Sequence, residues 1–255
     1  MLFVRSLLFL LVLIVSTPVY ALIALPALLL PRDNRYRLMT TWGKMVQFCA
    51  RHILGIRYRV IGLENLPPQP SVILSKHQSA WETIVYQQIF PPQSFVLKKE
   101  LLFIPFFGWG LACMPVIALN RRRATNALQQ LLVKGKTRLQ QGYWVLIYPE
   151  GTRVLPGRSE RFKAGGAWLA VKTGVSVVPV AHNAGEFWGK NAFIKRPGEI
   201  TVSIGPVIDT AGREAAEVNQ LAQQWVEDEM RRLFPHHYAG EAIEDRAVED
   251  KPNIA

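Results

Sequence analysis

The sequence predicts an α/β protein: a mixed, largely parallel sheet flanked by helices, with an N-terminal helical membrane anchor. Three observations carry that expectation. Beyond Gly55, short apolar runs of strand length alternate with segments of helical periodicity. Residues 6–30 are apolar and carry no charge. Apolar residues make up 49% of the 255 and charged residues 19%, which allows a sizeable core and argues against global disorder.

As one straight helix, residues 6–30 would extend about 37 Å, enough to cross a hydrocarbon core of about 30 Å. A cleaved signal peptide is the rival reading, with Met1 to Arg5 as its charged start. The apolar run resumes at Leu22, which favours retention. Pro18 and Pro26 each remove a backbone donor, so a kinked span and a segment that enters and leaves one face both remain open. Arg5 stands alone before the stretch. Arg32, Arg35, Arg37, Lys44 and Arg51 follow it, which puts that following side in the cytoplasm. Residues 36–54 then read as an amphipathic helix, with Met39, Trp42, Val46, Cys49 and Ile53 on one face. That face either packs on the core or lies in the membrane interface.

Strands are expected at 56–61, 71–75, 94–97, 116–119, 144–148, 175–180 and 200–204. Helices are expected at 81–89, 106–112, 124–140, 164–172 and 213–233, the last stopped by Pro235. The segment 241–255 is polar and acidic and reads as disordered. The chain thus divides into anchoring helices over 1–55, an α/β domain over 56–236 and a disordered polar tail over 237–255. The formal net charge of +11 points to anionic partners. No nucleic-acid module is recognisable, and seven Trp with an apolar start favour membrane lipids instead. Cys49 and Cys113 have no partner at metal-type spacing and read as reduced thiols.

Four clusters could do chemistry. Lys76-His77-Gln78-Ser79-Ala80-Trp81-Glu82 directly follows an apolar strand, where α/β sheets build sites. On one helix His77 and Glu82 would point about 140° apart, so they can meet only if His77 lies in the turn and Glu82 on the first helical turn. Ser79 as N-cap supports that layout. An imidazole there can act as general base, with the carboxylate fixing its tautomer. Equally, Ser79 and Glu82 form a capping box that explains Glu82 with no catalysis.

The second cluster, Tyr148-Pro149-Glu150-Gly151-Thr152-Arg153, also follows a strand. Its glycine turn, the Arg153 fork and the basic helix entry at Lys163 together suit an anion, although solvated surface is the default for such residues. The third, residues 98–110, is either a strand end with a buried turn or an apolar channel wall. The fourth, residues 117–121, is a strand ending at Arg121, which can point into the same site; Arg122 and Arg123 read as surface charge.

In this order the clusters resemble the glycerolipid acyltransferase family, in particular bacterial 1-acyl-sn-glycerol-3-phosphate acyltransferases. The blocks are a histidine, four residues and an acid (His77 to Glu82), an apolar stretch ending at Arg121, Pro-Glu-Gly-Thr-Arg intact from Pro149 to Arg153, and an apolar strand with a proline at Pro179. The likeness runs from about Lys76 to Val180. Glu82 stands where the family usually has aspartate.

The resemblance implies acyl transfer to the sn-2 hydroxyl of 1-acylglycerol 3-phosphate, giving phosphatidic acid. His77 would be the base and Glu82 its orienting acid. Glu150, Gly151, Thr152 and Arg153, with Lys163 and Arg121, would bind substrate. No metal and no cofactor are expected; acyl-CoA or acyl-carrier protein serves as co-substrate. Membrane lipids and a lysophospholipid acceptor are the expected partners. The expected location is the inner (cytoplasmic) membrane, with the active domain on the cytoplasmic side. Another lysolipid acceptor, such as a lyso-ornithine lipid, and a non-catalytic membrane lipid-binding module are the alternatives. Hydrolysis by Ser79 is disfavoured, because the Gly-x-Ser-x-Gly elbow is missing.

Overall fold

The computed structural model describes residues 1–120 and 124–238. Seven strands form one sheet: β1 (Ile56–Ile61), β2 (Val72–Ser75), β3 (Gln93–Lys98), β4 (Ile117–Leu119), β5 (Trp144–Ile147), β6 (Val177–His182) and β7 (Gly198–Ile204), in the order β1-β7-β6-β2-β5-β3-β4. Every neighbouring pair is parallel except β6 with β7. The strands lie within two residues of the expected bounds.

Side chains alternate across this sheet with period two. Ile73, Leu146 and Val178 face one core. Val72, Leu74, Val145, Ile147 and Val177 face the other. On the first face lie α1 (Leu2–Ala27), α2 (Arg32–Cys49) and α3 (Trp81–Ile89), with the short α4 (Phe107–Ala112) against α1. On the second lie α5 (Ala124–Gln140), α6 (Gly165–Thr173) and α8 (Ala215–Leu233). The four-residue α7 (Ala184–Phe187) carries too short a pattern to be read from sequence.

Residues 1–55, the expected anchoring helices, pack directly on the α/β domain. They share one core with the sheet. Phe9 and Ala24 of α1 and Val46 of α2 are fully buried in the same cluster as Ile73 and Trp81. α1 carries Pro18 and Pro26 inside one continuous helix. Its buried residues, Ser6, Phe9, Ala21, Ala24 and Ala27, form a stripe at helical spacing, whereas Leu8, Leu11, Ile14 and Val15 are exposed. The stripe is tied down along its length. Lys195 N–H donates to Ser6 Oγ, Trp42 Nε1 to Ser16 Oγ, and Cys113 Sγ to Ala24 O. Among the described residues α1 alone is long and apolar enough to cross a membrane.

The face expected on the second helix does pack on this core, since Met39 and Val46 are buried. Gly43 lets α2 approach α3 closely: a Cβ there would meet Ile84 O at 3.0 Å. The helix ends in a π-turn (Ala50–Leu54) stopped by Gly55 at φ 76°. Of the expected tail, His237 and Tyr238 belong to an ordered turn, with a 3-10 helix at Pro235–His237. Residues 239–255 lie outside the described residues.

Candidate active site

β5 and β6 flank β2 on either side and run parallel to it, so the carboxyl ends of all three open on one edge of the sheet. There the loop after β2 carries His77, and the turn after β5 carries residues 149–153. Three contacts fix His77. Its N–H donates to Glu150 Oε2 at 2.7 Å, its carbonyl accepts from Val154 N–H at 2.7 Å, and its Nδ1 lies 2.8 Å from Glu82 Oε1. Its ring stacks on Tyr148, centroids 4.0 Å apart.

Glu82 sits on the first turn of α3 and is fully buried. Its Oε1 also accepts from the N–H groups of Gln78 (2.9 Å) and Ser79 (2.8 Å), and Ser79 Oγ accepts from Trp81 N–H. One oxygen therefore holds the His77 ring and the backbone just before α3, whose N-cap is Ala80 and not the expected Ser79. Burial pushes this carboxyl up, but the His182 and His77 rings and the Ser79 N–H outweigh it and hold it below the usual carboxylate range. A carboxylate oxygen is an acceptor, so Nδ1 carries the ring proton. In the neutral ring Nε2 then holds a lone pair, the arrangement a general base needs. Nε2 has no hydrogen-bond partner among the described residues.

Glu150 turns inward. Its Oε1 pairs with Lys76 Nζ at 3.0 Å, both side chains almost wholly buried, while Oε2 holds the His77 N–H. Lys76 Nζ also donates to Arg158 O. Burial dominates here: the Glu150 carboxyl is pushed up to about 7, and the Lys76 charge and the His77 N–H only partly offset that. The substrate contact expected of Glu150 is not what its geometry offers, because its carboxylate is spent on the backbone of the catalytic loop. His182, also fully buried, accepts Ala184 N–H at Nδ1 and so donates from Nε2 to Lys76 O (2.8 Å). Burial keeps its ring below the ordinary histidine range. Sequence reading missed this residue; the only signal was its place at the end of an apolar strand.

A cavity of about 430 Å³ opens at His77. Gly151, Thr152 and Arg153 line it beside His77, joining the two clusters. Gly151 needs its positive φ (75°), and a Cβ there would meet Lys163 Nζ at 2.6 Å, so the Lys163 ammonium crosses close behind the turn without lining the cavity. Lys98 and Lys190 add positive charge to the lining; Lys190 Nζ donates to Arg153 O. Lys190 had no sequence signal, because it lies in an irregular loop after α7. Arg121 lies outside the described residues. Much of the remaining lining is apolar: Ala21 of α1, Met39 and Trp42 of α2, Phe95 of β3, and Phe107 and Leu111 of α4. The site thus joins an oriented base to a lining of both cationic and apolar side chains, which suits an amphiphile with an anionic head and a reactive hydroxyl.

Known proteins with similar chains agree with these features. The family model described as Acyltransferase matches residues 57–183. The chain is 43% identical, over 98% of its length and 97% of the other, to a 1-acyl-sn-glycerol-3-phosphate acyltransferase of Pseudomonas aeruginosa. It is 31% identical to the human 1-acyl-sn-glycerol-3-phosphate acyltransferase beta, over 73% of this chain and 68% of that one. Its fold is similar to the crystal structure of the 1-acyl-sn-glycerophosphate (LPA) acyltransferase from Thermotoga maritima. There the TM-score is 0.76 and the identity 25%, covering 90% of this chain and 95% of that one.

Proposed function

This chain belongs to the 1-acyl-sn-glycerol-3-phosphate acyltransferase family, and from that premise we propose that it acylates the sn-2 hydroxyl of 1-acylglycerol 3-phosphate to give phosphatidic acid. The observation that carries the reading is the His77 Nδ1–Glu82 Oε1 pair on a cavity whose lining includes both the cations Arg153, Lys98 and Lys190 and many apolar side chains. Arg153 holds the acceptor phosphate, Lys163 adds positive charge from behind the Gly151 turn without lining the cavity, and the acceptor hydroxyl is presented to His77 Nε2. His77 takes the hydroxyl proton as the oxygen attacks the thioester carbon. The tetrahedral intermediate collapses, the thiolate leaves, and the proton on Nε2 passes to its sulfur. No acyl-enzyme is formed, and the base ends as it began. Glu82 holds the tautomer and stabilises the imidazolium. Gly151 and Thr152 shape the wall beside Arg153. Glu150 positions His77 through its N–H.

The reaction needs no cofactor. The acyl donor is a thioester of coenzyme A or of acyl-carrier protein, both acidic partners for a chain of net charge +11. α1 attaches the domain to the cytoplasmic side of the inner membrane. Its exposed apolar residues meet lipid while its buried stripe stays on the domain. The test is acylation in vitro by purified protein, offering several lysolipids against both donors. Phosphatidic acid formation that vanishes in His77→Ala is expected. Lipid binding without turnover would leave only a binding module.

A further inference from the structure

Outside the cavity lining, two histidines and a glutamate converge. His236 Nε2 lies 3.5 Å from Glu186 Oε1, and His237 Nε2 lies 3.3 Å from Glu186 Oε2. The ligand-type atoms of all three residues fall within 4.8 Å of one another. Metal bonds of about 2.0–2.1 Å in a tetrahedron put neighbouring ligand atoms about 3.3–3.4 Å apart, close to each of the two His–Glu186 distances, each to its own carboxylate oxygen. The His237 side chain is only 8% exposed, and its Nδ1 is buried without a hydrogen-bond partner among the described residues. Its ring lies edge-on to His236, centroids 4.2 Å apart. Asn183 Nδ2 donates to Glu186 Oε2 at 3.0 Å, the kind of outer contact that orients a ligating carboxylate. The sequence hid this cluster, because adjacent histidines and a distant glutamate match no ligand spacing.

We propose that Glu186, His236 and His237 bind one Zn²⁺ ion, with solvent completing its shell. Two imidazoles and a carboxylate suit zinc and offer Mg²⁺ too few oxygens. The ion staples the C-terminal turn to α7 and to the loop behind the active site. Gly157 in that loop is so close to His237 O that a Cβ would sit 2.3 Å away. The same loop gives Val154 N–H to His77 O and takes Lys76 Nζ at Arg158 O. α7 adds Gly185 N–H to Gln78 Oε1, and the residue after it, Trp188, accepts Ser79 Oγ–H. The staple therefore braces the catalytic loop from behind and takes no part in acyl transfer.

The experiment is thermal unfolding of the untagged full chain in detergent, stripped with chelator and then given ZnCl₂ or MgCl₂. With zinc at a hundredfold excess over its dissociation constant, the midpoint should rise by roughly 5–10 °C. Mg²⁺ should do nothing. The rise should persist in His77→Ala, which removes the imidazole that lines the cavity. It should vanish in His236→Ala and in Glu186→Gln, both of which should keep basal activity. If those variants fail to fold, Co²⁺ added to the unaltered protein decides: intense visible bands of a four- or five-coordinate site are expected. No rise with zinc, an equal rise in His236→Ala, or only the pale spectrum of hydrated Co²⁺ would overturn the proposal.

Discussion

The first turn of α3 and the turn after β5 each bring a buried glutamate onto His77, and their electrostatics are opposite. Glu82 gathers one ring nitrogen and two backbone N–H groups on a single oxygen and stays below the usual carboxylate range. Glu150 faces one N–H and one buried ammonium and rises to about 7. Burial is nearly the same for both, so the difference comes from their neighbours. The His182 and His77 rings and the Ser79 N–H outweigh burial at Glu82, whereas Lys76 and the His77 N–H only partly offset it at Glu150, which the Glu82 charge raises further. The first holds the ring and has to be charged. The second holds the backbone and is the weaker clasp.

The sharpest way to break that contrast is Glu82→Gln. An amide can still accept from the cap N–H groups but no longer supplies the charge for the imidazolium, so kcat should fall on the order of 10²–10⁴-fold with little change in fold. Unchanged turnover would leave Glu82 as a cap alone.

Glu150→Gln should act mainly on stability. It strands the Lys76 ammonium in the interior, at a cost of about 3 kcal/mol and roughly 6–12 °C in the unfolding midpoint. Adding Lys76→Met should restore much of that loss, because a buried pair replaced as a unit costs little.

Arg153→Ala should raise KM for the phosphate-bearing acceptor by roughly 10–100-fold, the worth of one charge-assisted contact, with a smaller change in kcat. Steady-state kinetics on the lysolipid reads this directly.

The smallest effect is on the pH dependence of stability. Glu82, held low, contributes stability above its ordinary value of 4.5 that is lost as pH falls through its folded value. Glu150 has the opposite sign. Its folded form prefers the proton up to about 7, so its contribution declines as pH rises from 4.5 to about 7. Glu150→Gln should therefore gain stability with pH more steeply across that window than the unaltered protein, as followed by thermal midpoints.

Much of this was legible in the residues, because periodicity reports which face is buried. α3 and α5 fall at Trp81–Ile89 and Ala124–Gln140, as the spacing predicts. The layout that lets His77 meet Glu82 follows from Ser79 and helix geometry. What could not be read depends on tertiary approach. Lys76 and Glu150 pair across two neighbouring strands, and nothing local to either marks it. Lys190 reaches the cavity from an irregular loop. For α1, hydropathy treats lipid and protein interior alike, so a span and a packed helix look the same. Only Ala21, Ala24 and Ala27, small residues on one side, hinted at close packing on the domain.

The central claim concerns one proton, and nitrogen-15 NMR of histidine-labelled protein observes it. In the resting enzyme at neutral pH, the His77 ring should carry its proton on Nδ1, bonded to Glu82, with Nε2 bare. A proton found on Nε2 with Nδ1 bare would contradict the account, since that ring has no lone pair to offer the acceptor hydroxyl.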